Sequence, residues 1–276
     1  FQAYREAGVD RVSLGVQSFD DRALRRLGRI HGAQEAQAAI EDLHAAGLDN
    51  FNLDLMYGLP GQTPGDALRD LELAIDGAPA HLSHYQLTLE PNPLFAARPP
   101  RLPDEDSCWR MQDGAAGLLA DAGFEAYEVS AWTRGGRESR HNLNYWRFGD
   151  YLGIGAGAHG KITGAPGGYV RRRSKNRHPR RFLAGERLAE DRVLSREDLR
   201  FEFFLNALRL RGGFDQSLFE ERTGLPWREA EPVVLMARER GLLEACPEGF
   251  RPSELGWRFM NDLQALFLPG RKTAGA

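Results

Sequence analysis

The chain has 276 residues, 42% hydrophobic and 27% charged, with a net charge of −3 and a pI near 6.2. This is the composition of a soluble globular protein with one large domain or two; it excludes a disordered or fibrous chain and offers no general basic surface for nucleic acid or membrane. No apolar run approaches the roughly 18–20 residues that span a bilayer, and no secretory signal opens the chain. The two cysteines, Cys108 and Cys246, lie far apart in sequence and make neither a metal-ligand pair nor a disulfide framework. A cytoplasmic protein without integral membrane association is expected.

The chain opens inside a helical pattern, with Phe1, Tyr4 and Ala7 at a spacing of three up to Gly8, so a segment upstream of Phe1 is expected. Short apolar strands then alternate with amphipathic helices. The strands are expected over residues 11–18, 51–57 and 81–90. Asp20 is placed to cap a helix ending near Gly28. The next helix carries Ala36, Ile40 and Leu43 on one face and stops at Gly47. Thr63-Pro64 starts a third, with Leu68, Leu71 and Ile75 facing inward. A fourth runs over residues 104–122. This alternation implies a parallel sheet or barrel, with an antiparallel sheet wet on one face as the alternative.

Each strand has one apolar face. Val12, Leu14 and Val16 alternate with Ser13, Gly15 and Gln17. Phe51, Leu53 and Leu55 alternate with Asn52 and Asp54, and Tyr85, Leu87 and Leu89 with Gln86 and Thr88. A closed eight-stranded barrel fills its lumen with bulky branched residues. Polar faces on successive strands instead suggest an open interior that holds a polar ligand.

Residues 124–132 read as another strand. The stretch 133–181 is rich in Gly, Arg and aromatics and has little periodicity. From about Ser195, which with Asp198 approximates a capping box, Leu199, Phe203, Ala207 and Leu210 recur at helical spacing. Shorter helices near 215–222 and up to Gly241, a turn at Pro247-Glu248-Gly249 and a last helix ending near Phe267 suggest a winged-helix-like module. The expected fold is α/β: a partial (β/α) barrel with a loop-rich extension over residues 1–185, then a winged-helix-like domain over 186–276.

Four segments stand out: Gly15-Val16-Gln17-Ser18-Phe19; Leu27-Gly28-Arg29-Ile30-His31; Asn52 to Pro60; and His141-Asn142-Leu143-Asn144-Tyr145-Trp146. Gln17 and Asp54 lie toward the C-terminal ends of their strands on the polar face, where parallel barrels place their sites. In this order the segments resemble the radical SAM family of oxygen-independent coproporphyrinogen III oxidases, and more closely its haem-chaperone branch, across nearly the whole chain. The resemblance implies that Gln17, Arg29 and Asp54 hold S-adenosylmethionine, with Thr88 close to the adenosyl part. The chemistry agrees with it. A carboxylate at a strand end can accept hydrogen bonds from ribose hydroxyls, the Arg29 guanidinium can fork onto the methionyl carboxylate, and the Gln17 amide both donates and accepts.

The resemblance further implies that His141 handles haem, since neutral imidazole is the usual protein ligand to haem iron; a carbonyl of Asn142 or Asn144 could set its tautomer. His159, in a Gly-rich run over residues 153–160, is a second candidate, and that run suggests backbone packed closely against a ligand or a strand. The implied function is a haem chaperone that binds haem and transfers it to haemoprotein acceptors. The alternative within the same resemblance is radical oxidative decarboxylation of a porphyrinogen in porphyrin biosynthesis. The basic run over residues 171–181 could grip propionates or nucleic acid, or be a solvated loop. In the winged-helix-like module Arg228, Arg238 and Arg240 are balanced by Glu229, Glu231 and Glu239, so nucleic acid is not expected as a partner. The family's [4Fe–4S] cluster is held by three closely spaced cysteines, which this chain does not contain; radical chemistry is not expected of this chain alone. No oligomeric state follows from the sequence.

Overall fold

The computed structural model describes residues 1–89, 99–164 and 169–270. The contacts divide the chain into two units, Phe1–Glu138 and Ser139–Ala276. The division falls well before residue 185, where the sequence suggests a boundary, because Phe148 and Val170 belong to the same core cluster as Phe203 and Phe204.

The first unit opens with a short helix, α1 (Gln2–Glu6). Its sheet is then built from three parallel strands, β1 (Val12–Gln17), β2 (Phe51–Tyr57) and β3 (His81–Gln86), in that spatial order. Helices α2 (Asp21–Arg26), α3 (Ala33–Ala45), α4 (Pro64–Asp76) and α5 (Glu105–Asp121) connect or follow them. Their starts are written locally: Asp20 accepts from the Arg22 amide, and Thr63 with Asp66 forms a capping box ahead of Pro64. Ala36, Ile40 and Leu43 of α3 meet Phe51, Leu53, Leu55 and Leu82 of the sheet in one buried cluster. Helix α4 is turned slightly from the expected face. Ala67, Asp70, Leu71 and Ala74 are its buried residues, while Leu68 packs against Gly114 of α5, where an added Cβ would lie 3.1 Å from its side chain. The missing side chain at Gly114 lets the two helices approach closely.

Two expectations for this sheet are corrected. β3 ends at Gln86 rather than near residue 90; after it the Leu87 amide makes one more bond, to the Tyr57 carbonyl at 2.9 Å, and residues 87–89 leave the ladder. The single strand expected over 124–132 is a hairpin, β4 (Glu125–Glu128) and β5 (Ala131–Thr133), with β5 antiparallel to β3. Its connection, Val129-Ser130, contains none of the Gly, Asn or Asp residues that mark tight hairpin turns, so the reversal leaves no sequence signal. No closed barrel forms among the described residues; the sheet order is β1-β2-β3-β5-β4.

The second unit begins with α6 (Arg140–Trp146). The stretch read as loop-rich then forms a three-stranded antiparallel sheet, β6 (His159–Thr163), β7 (Val170–Lys175) and β8 (Leu188–Val193), with the short helix α7 (Pro179–Leu183) between the last two. Charge on both faces of β7 and the full exposure of β8 hide the period-two signal of a half-buried strand. Helices α8 (Arg196–Ala207), α9 (Gln216–Thr223) and α10 (Glu231–Glu239) follow. The antiparallel hairpin β9 (Leu243–Cys246) and β10 (Gly249–Pro252) comes next, then α11 (Glu254–Arg258) and α12 (Met260–Ala265). A bridge from Phe214 to Phe250 extends the hairpin. This is the helix–helix–helix–wing order the sequence suggests.

Candidate functional site

Parallel pairing brings alternate residues of three strands onto one face. Asn52 stands beside Ser13 on one side and His81 on the other, Asp54 beside Ser83, and Met56 beside Tyr85. These residues bond across the sheet. Asn52 Nδ2 donates to Ser13 Oγ at 2.7 Å and to Asp54 Oδ1 at 2.9 Å, and Ser13 Oγ donates to Asp54 Oδ2 at 2.9 Å. Asn52 Oδ1 accepts from Ser83 Oγ at 3.1 Å and lies 2.7 Å from His81 Nδ1. His81 Nε2 is 2.8 Å from the hydroxyl of Tyr127, carried on β4. The polar face expected from the sequence is therefore real, but β3 contributes its other set of residues. Tyr85, which alternation assigns to the apolar side, lies on the polar face with His81 and Ser83. Gln86 falls on the opposite face, and Thr88 is exposed two residues beyond the strand.

Gln17 ends β1 in a strained conformation, with φ at +68°, a region costly for a residue with a side chain. It sits where the β1–β2 register shifts between Leu14 and Gln17, and the Ser18 amide closes a tight turn on the Val16 carbonyl at 2.9 Å. The turn aims the Gln17 side chain back over the strand, where Tyr85 donates to its Oε1 at 2.8 Å. Gly15 makes room for it: a Cβ there would lie 2.9 Å from Gln17 Nε2. The loop is anchored from behind. Ser18 Oγ and the Phe19 amide donate to the buried Asp70 of α4 at 2.7 and 2.8 Å.

Arg29 follows Gly28, whose φ of +72° lets the chain turn after α2, and the loop is held by His31 Nε2, 3.1 Å from the Val16 carbonyl. The Arg29 residue is exposed. Its charge still reaches Tyr85: burial raises the Tyr85 pKa, Asp54 adds to the rise and Arg29 opposes it. Three of the four residues expected at an adenosyl site, Gln17, Arg29 and Asp54, therefore share one neighbourhood around Tyr85. The sequence reading missed Tyr85, His81, Ser83 and Tyr127. Period two would have found the first three with β3 shifted by one residue, whereas Tyr127 arrives from a hairpin that leaves no signal.

In the second unit His141 occupies the first turn of α6, which Ser139 caps by accepting from the Asn142 amide at 3.3 Å. The imidazole is exposed. It meets the Tyr145 ring edge-on at 4.8 Å, and Tyr145 meets Tyr151 at 4.5 Å. Asn142 Oδ1 lies 3.5 Å from Nδ1, the outer limit of a hydrogen bond, while Asn144 instead donates to the Asp150 carbonyl. His159 is exposed at the start of β6. The Gly-rich run before it packs against strand backbone: a Cβ on Gly153 would lie 2.4 Å from the His159 carbonyl oxygen. The basic run is in large part a strand, not a loop. Arg171 and Arg173 both pair with Asp191, at 3.4 and 3.0 Å, and Arg172 pairs with Glu202. Backbone pairing to β6 and β8 holds these arginines in an extended row.

The donor set fits a polar, hydroxyl-bearing ligand on the first unit's sheet, because the buried Asn52 amide and the exposed Ser13 hydroxyl hold a half-exposed carboxylate at the open side. It does not fit an iron–sulfur cluster. The chain has two cysteines, both free and in different units, and no group of three or more His, Cys, Asp or Glu among the described residues could hold a metal ion.

Residues 1–74 match the family model of the Radical SAM superfamily, and residues 194–259 that of the HemN C-terminal domain. The heme chaperone HemW of Haemophilus influenzae is 46% identical over 97% of this chain, which spans 70% of that protein. The heme chaperone HemW of Escherichia coli is 48% identical over 97% of this chain, which spans 71% of it. Among solved structures, the coproporphyrinogen III oxidase HemN from Escherichia coli, described as a radical SAM enzyme, matches with a TM-score of 0.75 and 18% identity. That match covers 96% of this chain and 65% of that one. At this identity the structural match speaks to the fold alone.

Proposed function

The chain belongs to the HemW heme-chaperone family of the radical SAM superfamily, and from that membership we propose that it takes part in binding haem and passing it to haemoprotein acceptors. The observation that carries the reading is the 46–48% identity to two proteins named heme chaperones, sustained over 97% of the chain. The alternative, radical oxidative decarboxylation of a porphyrinogen, has the shared fold and the matches to the Radical SAM and HemN C-terminal family models behind it, but neither distinguishes it from the chaperone reading.

His141 is the residue we assign to haem iron. Its ring is exposed, so a planar macrocycle can reach it, and the edge-on Tyr145 restricts the plane of the imidazole. With Nδ1 turned toward Asn142, Nε2 is the nitrogen left for the metal. Gln17, Arg29, Asp54 and Thr88 are assigned to S-adenosylmethionine, which when bound supplies the adenosyl group characteristic of this superfamily. Asp54 would accept from the ribose hydroxyls, Arg29 would offer a fork to the methionyl carboxylate, Gln17 would offer its amide, and Thr88, exposed beyond β3, would take the adenosyl side. The [4Fe–4S] cluster finds no ligand set among the described residues, and no radical step is drawn from them.

The test is a haem titration of the chain and of His141→Ala followed in the Soret band. A saturable shift in the parent that is lost in the variant is the expected result. A shift unchanged by the substitution would move the ligand elsewhere, to His159 first. Absence of binding by folded parent protein would overturn the assignment of haem binding to these residues.

A further inference from the structure

We propose that His81 and Tyr127 form a hydrogen-bonded relay that, through Asn52, positions the Asp54 carboxylate for the ribose hydroxyls of an adenosyl ligand. The proposal rests on the assignment of Asp54 to that ligand and adds positioning residues that touch no ligand themselves.

The relay has only one consistent direction. Asn52 Oδ1 can only accept, so the 2.7 Å contact requires a proton on His81 Nδ1. A neutral ring then has a bare Nε2, which must accept from the Tyr127 hydroxyl at 2.8 Å. The Asp54 carboxylate can only accept, so the Asn52 amide cannot flip without setting its oxygen against it, and its oxygen stays with His81 and Ser83. Of the two amide hydrogens, one goes to Ser13 and one to Asp54 Oδ1, while Ser13 passes its own proton to Asp54 Oδ2. Each carboxylate oxygen is thereby gripped from the sheet side and keeps lone pairs toward the open side.

Burial supports the reading. His81 is 1% exposed, and Asn52 5%. Desolvation, with Arg11 nearby, pushes the His81 pKa down to about 3, so the ring stays neutral and the direction of the relay is preserved at any pH near neutrality. Asp54, by contrast, is only half-buried. Tyr127, His81 and Asn52 are enclosed, while Ser13 and Asp54 reach the open side, where the unused hydrogen-bonding capacity of the network emerges.

The test is isothermal titration of the chain with S-adenosylhomocysteine, every variant first shown to be folded by circular dichroism. The parent should saturate and Asp54→Asn should lose binding. His81→Leu, which removes the donor to Asn52, should weaken binding about tenfold or more; His81→Gln, which can restore a donor to the Asn52 oxygen, should stay within about threefold of the parent. Tyr127→Phe should fall between them. A folded His81→Leu that binds like the parent, while Asp54→Asn does not bind, would remove the relay and leave the Asp54 assignment intact. No binding by the parent, or binding unaffected by Asp54→Asn, would remove both. Should His81→Leu fail to fold, ¹⁵N resonances of the His81 ring in the parent decide: a proton on Nδ1 is required, and a proton on Nε2 instead overturns the relay.

Discussion

His81 and His84 stand on opposite faces of β3, three residues apart, and both are buried. His84 stacks on Tyr57 at 4.6 Å. Burial lowers their pKa values to about 3 and about 4. Both values lie below the ordinary 6.5, so the unfolded chain binds these protons first. Their contribution to stability is complete above about pH 6.5 and is lost as pH falls toward 4, by up to ~1.4 kcal/mol per pH unit for each ring. Asp70, raised by burial, has the opposite sign, so a variant isolates the effect best. Thermal melts at pH 7 and pH 5 should show a smaller acid-induced loss in His84→Phe than in the parent; equal losses would mean His84 does not titrate as its burial implies. In the second unit Lys161 is 1% exposed, with its Nζ 2.9 Å from both the Phe148 carbonyl and Asp150. Lys161→Ala should cost about 3 kcal/mol in urea unfolding, because it strands the carbonyl of the buried Phe148, empties a buried site and breaks an ion pair whose cationic end is enclosed. A cost under about 1 kcal/mol would show the pair to be dispensable.

At the scale of elements, two helix glycines make opposite predictions. Gly256 in α11 lies against backbone, and a Cβ there would be 1.9 Å from the Leu242 carbonyl oxygen. The helix must move to admit any side chain, so Gly256→Ala should destabilise by about 2 kcal/mol or more. Gly117 in α5 is exposed and meets nothing within 4 Å. Gly117→Ala should stabilise by about 0.5–1 kcal/mol, the ordinary helix preference of alanine. Melts of the two variants side by side test both signs. The same contrast explains which elements could be read in advance. Helices α2 to α5 announce themselves through Asp20, Thr63-Pro64, Asp104 and the Ala36–Ile40–Leu43 stripe, all local signals. The β6–β7–β8 sheet does not, because its central strand reads Val-Arg-Arg-Arg-Ser-Lys and is held by pairing to residues as far along the chain as Arg171 is from Val193.

For the whole chain, the main buried clusters each close within one unit, around Phe51 and Leu71 in the first and around Phe203 and Phe204 in the second. Hydrogen exchange should therefore resolve them: lowering the pH from 7 to 5 should loosen β1 to β3 selectively, and Lys161→Ala should loosen residues 139–270 while leaving β1 to β3 protected. A uniform response across both units would show that they unfold as one. No helix among the described residues is long and apolar enough to cross a membrane. By itself the sequence determined the α/β class, the parallel core strands, most helix starts, the winged-helix-like order of the second unit, and the family, because each rests on residues close together along the chain. Only the tertiary structure decided which side of β3 faces the polar site, where the first unit ends, and how Tyr127, His81 and Asn52 converge behind Asp54. Those depend on register between strands that lie tens of residues apart, and a one-residue change of register turns every side chain to the other face.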